Sequence, residues 1–188
     1  MTMRTAMMLA LPLALAGCLG GEPLRYVVDP AIGVVTERVR TSADTISISE
    51  VSLPAYAKET KLFVEGEENT LLSLDNADWG DEPERAFTNA LVHELTELTG
   101  AEVAAEPWPL GGVPEAELRV RVSHMVVRND GVLSLAGHYS VRRDRATSRN
   151  KIELFSLEVP ASSTAPVDVV RAHAAAWRAL AGVIARSL

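Results

Sequence analysis

Cysteine is all but missing from this chain: among 188 residues only Cys18 carries a thiol. That excludes a disulfide framework and a structural metal held by several thiolates, so the fold must rest on its apolar core. Basic charge is also short, with 18 lysines and arginines against 25 aspartates and glutamates. An acidic chain of this kind is a poor ligand for nucleic acid, and nothing draws it electrostatically to anionic lipid. Beyond the first residues there is no apolar run long enough to cross a bilayer. A Gly-x-Ser-x-Gly nucleophile elbow, a phosphate-cradling glycine loop and a dinucleotide fingerprint are all absent.

What is present begins at the amino end. Arg4 precedes an apolar stretch through Met7, Met8, Leu9, Leu11, Leu13 and Leu15, the length of a signal-peptide core. It runs into Leu15-Ala16-Gly17-Cys18, the arrangement of a bacterial lipobox. The expectation is a signal peptide over residues 1–17, a lipidated tether over 18–24 and one domain over 25–188. Cys18 would carry a diacylglycerol and an N-acyl chain, several chains together making a durable anchor; no other cofactor is expected. Leu19-Gly20, with no aspartate after the cysteine, points to the periplasmic face of the outer membrane in a Gram-negative cell. From Cys18 to Tyr26 is eight residues, a reach of at most about 28 Å.

Periodicity gives the elements. Strands are expected at Arg25–Val28, Thr45–Leu53, Lys61–Glu65, Thr70–Leu74, Glu102–Ala105, Glu117–Arg128, Val132–Arg142 and Lys151–Val159, with Asn129-Asp130-Gly131 as a hairpin turn. A helix is expected from Pro83 to Thr99, capped by Asp81, with Phe87, Leu91, Leu95 and Leu98 as its apolar stripe. A second starts near Pro166, capped by Ser163 or Thr164, and buries Val169, His173, Ala176, Trp177, Leu180, Val183 and Ile184. The fold class is α+β, a mostly antiparallel sheet with two helices packed on one face.

Chemistry-bearing residues are few. His93-Glu94 opens like a zinc-protease helix, but Glu97 stands where the second histidine belongs, and the wheel turns His93 and Glu97 toward solvent. His124 and His138 lie on paired strands and are expected to face each other. Arg142, Arg143, Arg145, Arg149 and Lys151 concentrate basic charge in one loop. Tyr56, Trp79 and Trp108 read as loop aromatics, the kind that anchor interfaces. Neither a metal site nor an enzyme is expected.

The order of several stretches resembles a known family. After the lipobox come Arg25-Tyr26-Val27-Val28-Asp29-Pro30 and Ser49-Glu50-Val51-Ser52-Leu53-Pro54-Ala55-Tyr56. A hairpin ending Leu74-Asp75-Asn76-Ala77-Asp78-Trp79 then leads into Phe87-Thr88-Asn89-Ala90-Leu91. This pattern is similar to the PqiC-like ABC-type transport auxiliary lipoproteins. The resemblance implies a non-catalytic adaptor of an MCE-domain protein in a lipid transport system between membranes. Partner contact would fall around Pro54, Tyr56, Trp79 and Pro83, and a homo-oligomeric ring would match a tubular partner. A departure is Trp79-Gly80-Asp81-Glu82-Pro83, with acidic residues where that family often has Trp, a small residue, Pro and Leu. Two other readings stand beside it: a lipid carrier with a pocket between helices and sheet, and a hydrolase built on His93.

Overall fold

A computed structural model of the protein describes residues 22–28, 38–144 and 150–188. The expected signal peptide, Cys18, Asp29, Pro30, Arg145 and Arg149 lie outside the described residues. Alternating apolar residues build the longest ladder. Strand β6 (Ala116–Val127) turns at Arg128–Gly131 and returns as β7 (Val132–Arg143), antiparallel throughout. Gly131 takes a φ of 77° in that turn, a conformation open to glycine at little cost. Strand β8 (Lys151–Pro160) lies antiparallel against β7 and forms one edge of the sheet.

The other side of β6 is shared. Strand β2 (Thr45–Ile48) lies parallel to its start, with Ile48 beside Leu118. Ser52 bridges Arg121 midway, and β3 (Lys61–Glu65) lies parallel at the far end, with Val64 beside Val127. Outside these, β4 (Leu71–Trp79) runs antiparallel to β3 and β1 (Leu24–Tyr26) parallel to β4. Strand β5 (Glu102–Ala105) is parallel to β2.

The α+β class therefore holds, but the expected mostly antiparallel sheet is corrected to a mixed one: four of the seven strand pairings among the described residues are parallel. Alternation tells which face a residue takes and says nothing about the direction of its neighbour.

Helix α1 (Pro83–Thr99) starts on a proline and stops at Gly100, whose φ of 70° closes it with a bond from its N–H to the Thr96 carbonyl. Helix α2 is Pro166–Ala185. The two pack together on one face of the sheet. Phe87, Leu91 and Leu95 from α1 and Val169, Ala176, Trp177, Leu180 and Ile184 from α2 are buried against Leu118, Leu133 and Leu135. Arg119, Arg121 and Ser123 face the opposite way into solvent.

Both expected caps are corrected. Glu82, not Asp81, precedes α1, and it makes no side-chain cap bond. The Asp81 carboxylate instead accepts the Glu82 N–H at 2.8 Å and pairs with Arg85. Before α2, the cap position is Ala165; Ser163 Oγ accepts its N–H at 3.1 Å and donates to Asp168 at 2.6 Å.

Two irregularities shape the sheet. Between Lys61 and Phe63 the β3–β4 register slips, Lys61 facing Asp78 and Phe63 facing Ser73, with Asn76 at a φ of 53°. Asp75-Asn76-Ala77-Asp78 thus form a bulge inside β4 where the sequence reads as a loop. The second slip falls between Val122 and His124 on β6, opposite Gly137. A Cβ at Gly137 would stand 2.2 Å from the Arg121 carbonyl oxygen, so only glycine fits beneath the bulged backbone.

Candidate functional site

The Ser49–Tyr56 stretch is fixed from two sides. Its backbone follows β6, the Ser49 and Ser52 N–H groups donating to Leu118 and Val120. Helix α1 holds its other side: Thr88 Oγ1 accepts the Val51 N–H at 2.9 Å, and the Glu84 carboxylate accepts the Leu53 N–H at 3.1 Å. Pro54 then opens a 3-10 turn, Ala55–Lys58, that brings Tyr56 over β6. The Tyr56 hydroxyl accepts the Met125 N–H at 2.9 Å, between the bridge at Ser52 and the pairing at Val64. The phenol fills a gap in the strand ladder and satisfies a main-chain donor there. Burial raises its pKa.

Trp79 ends β4 rather than lying in a loop, and it is 7% exposed. Its ring meets Phe87 edge-on at 5.5 Å and His173 at 5.4 Å, while Phe87 stacks on Trp177 at 4.9 Å. Pro83 is buried at the head of α1. Tyr56 and Trp79 do come together, around a void of about 10 Å³ that also touches Met125 and His173. Pro54 and Tyr56 keep partial exposure. His173 sits in the core with Nδ1 donating to the Val169 carbonyl at 2.8 Å; burial lowers its pKa from 6.5 to about 4, so it is neutral at physiological pH.

The remaining sequence candidates scatter. His93 and Glu97 are exposed on α1, and the buried Glu94 between them is bound to Arg178. His124 and His138 do not face each other, a correction: the bulge sets His124 opposite Ala136 and His138 opposite Arg121. Among the described residues no group of three His, Cys, Asp or Glu side chains is placed to hold a metal. Of the basic residues expected in one loop, Arg142 and Arg143 end β7 and Lys151 starts β8; Arg142 pairs with Glu117, Lys151 with Glu153, and Arg143 donates to the main-chain oxygens of Ser187 and Leu188.

Between helices and sheet the buried side chains form one packed apolar cluster. A cleft of about 190 Å³ lies beside it where β1 enters, lined by Tyr26, Val27, Trp79 and Ala90. Trp108 lines a wide, open depression with Pro107, Pro114 and Glu50. Neither is an enclosed chamber.

The feature that periodicity did not single out is the outward face of β8. Phe155, Leu157 and Val159 point to the core side, and Ile152 and Leu154 fall in the opposite phase. These two are 77% and 86% exposed. Beside Leu154 lie His138 and then Arg121; beside Ile152 lie Ser140 and then Arg119. The result is an apolar pair on a sheet edge, backed by a row of exposed cations. The signal in the sequence was a strand apolar in both phases.

The family model for the ABC-type transport auxiliary lipoprotein component matches residues 26–185. No curated protein matches the chain. A crystal structure of an uncharacterised protein superposes with a TM-score of 0.67 at 18% identity, covering 80% of this chain and 98% of that one. A crystal structure of a protein from Xanthomonas campestris superposes with a TM-score of 0.63 at 13% identity, covering 87% and 90%. At those identities the two share its fold.

Proposed function

The chain belongs to the family of ABC-type transport auxiliary lipoprotein components, and on that footing we propose that it is a non-catalytic adaptor of an MCE-type lipid transport system. Anchored through Cys18 to the periplasmic face of the outer membrane, it docks an MCE-domain protein and holds it there. The observation that carries this reading is the outward face of β8. Two large aliphatic side chains stand in water on an edge strand whose only ladder neighbour among the described residues is β7. Exposed apolar edges of this kind invite a partner, because free N–H and C=O groups sit next to surface that gains from burial. Arg119 and Arg121 behind the pair favour an acidic rim on that partner.

Pro54 and Tyr56 offer a second, smaller contact, with Trp79 and Pro83 behind them as support. A homo-oligomeric ring would match a tubular partner in symmetry, provided that it leaves β8 open to that partner. A lipid carrier gains less support from this geometry, since helices and sheet meet through packed side chains.

The test is retrieval of the tagged full chain from native membranes, with an Ile152→Ser/Leu154→Ser double variant alongside. Recovery of an MCE-domain protein, reduced about tenfold by the two serines, supports the reading; each lost tenfold equals about 1.4 kcal/mol of binding. Undiminished recovery by the variant would move the contact away from β8. Absence of any MCE-domain protein would remove the adaptor reading.

A further inference from the structure

We infer that the β3–β4 hairpin tip, carrying Leu71 and Leu72, is a lipid-contacting surface that rests on the headgroup layer of the membrane holding the anchor. The inference rests on the lipidated Cys18 of the proposed function. Its structural basis is the direction of β1.

Strand β1 runs parallel to β4, with Leu24 beside Ala77 and Tyr26 beside Trp79. Followed toward its amino end, β1 therefore points to where β4 begins, at Leu71 and Leu72 beside Glu65 and Val64. Cys18 lies six residues before Leu24, a reach of about 20 Å at most. From Ala77 back to Leu72 is five strand residues, about 17 Å. The chain before Leu24 thus leaves β1 toward the end of the sheet that carries the hairpin tip, and Cys18 is within reach of that level.

The surface at that end fits a lipid interface. Leu71 and Leu72 are consecutive, so they project to opposite faces of the strand, and they are 40% and 54% exposed. Leu24, on the approach to the tether, is 65% exposed. A hairpin tip with an aliphatic side chain on each face enters the headgroup boundary without losing any contact in the core. Glu65, Glu67 and Glu68 flank the leucines, so the lipid that suits this tip is zwitterionic, such as phosphatidylethanolamine, and not an anionic one.

The opposite end of the sheet then faces away from the membrane. Leu72 is level with Val64, Val127, Leu133 and Val159 across successive strands. Ile152 is seven residues further down β8, about 23 Å away. Lipid contact and the apolar edge of β8 are thereby separated, and both can be occupied at once.

The experiment uses the only cysteine to advantage. Once Cys18 is acylated, a Leu72→Cys substitution gives the lipidated full chain a unique thiol for a fluorophore, and Ile152→Cys gives a second chain labelled at the far end. Both are floated with phosphatidylethanolamine/phosphatidylcholine vesicles containing lipids brominated in their tails. The expected result is quenching at position 72 at least threefold that at position 152, reduced when anionic phosphatidylglycerol is added. Equal quenching, or more at position 152, overturns the orientation. Leu71→Cys is labelled in parallel, so that a local effect of one substitution is recognised. Flotation separates the two ideas: a chain that does not float has lost its anchor, whereas one that floats with position 72 unquenched keeps the anchor and refutes the hairpin contact.

Discussion

Arg178 on α2 closes on the carboxylate of Glu94 on α1, its Nε lying 3.0 and 3.2 Å from the two oxygens and a terminal nitrogen 2.9 Å from one. The glutamate side chain is 5% exposed, the arginine 32%. The pair pins the two helices at a fixed register above the sheet. Removing the arginine leaves a buried carboxylate without this cation, so Arg178→Met should lower unfolding free energy by about 3 kcal/mol. Replacing both, Glu94→Leu with Arg178→Met, should recover most of that loss. Urea unfolding of the three proteins checks the order.

The Tyr56 hydroxyl is the acceptor for the Met125 N–H. Tyr56→Phe keeps the ring and deletes the acceptor, leaving a main-chain donor unpaired at a cost of about 1–2 kcal/mol. Amide exchange should report it locally: the Met125 proton loses protection, while Leu133 and Leu135 on β7 change little.

His173 gives the protein a defined acid sensitivity. Its folded pKa, near 4, lies below the 6.5 of an unfolded histidine, because burial disfavours the charged ring. Between those values the unfolded chain binds the extra proton, so stability is complete above about pH 6.5 and falls as pH drops toward 4. The loss attributable to this residue is about 3 kcal/mol across that window. His173→Phe, which keeps a ring against Trp79 and Phe87, should flatten this part of the curve; thermal melts at half-unit steps of pH would show it.

Gly137 lies beneath the β6 bulge, where an added Cβ would strike the Arg121 carbonyl. Gly137→Ala should therefore cost about 3 kcal/mol by forcing the ladder apart. Gly111→Ala, with nothing within 4 Å of its Cβ, should fall within about 0.5 kcal/mol of the parent. A thermal shift assay distinguishes them at once.

Both helices and the β6–β7 hairpin were legible in the sequence because each is local. Pro83 and Gly100 bracket α1 with backbone chemistry that stays within one helix. The partners of β6 were not legible. Ile48, Ser52 and Val64 reach one strand edge across sequence separations that no alternation encodes. Asp75-Asn76-Ala77-Asp78 have turn propensity, which pairing with β3 and β1 overrides into a bulged strand. That displacement carried Trp79 from an expected loop into the core, where Phe87 and His173 surround it. For the site, the sequence led to Tyr56 but could not tell a ladder-completing hydroxyl from a docking aromatic. Ile152 and Leu154 passed unremarked because their strand mates Phe155 and Leu157 already explained the apolar content.

Strand β6 also determines when the molecule can become itself. Residues 45–65 emerge early from any pore that delivers the chain amino end first, and the strand that joins β2 to β3 is missing until residues 116–127 follow. For that interval Ile46–Ile48 and Leu62–Val64 have only β5 and β4 to lie against, and the edge each turns toward β6 stays open. High separation between partners slows assembly, since loop closure must come before the contacts that reward it. The two halves of the sheet are thus joined only once the second half of the chain is present and β6 lies between them.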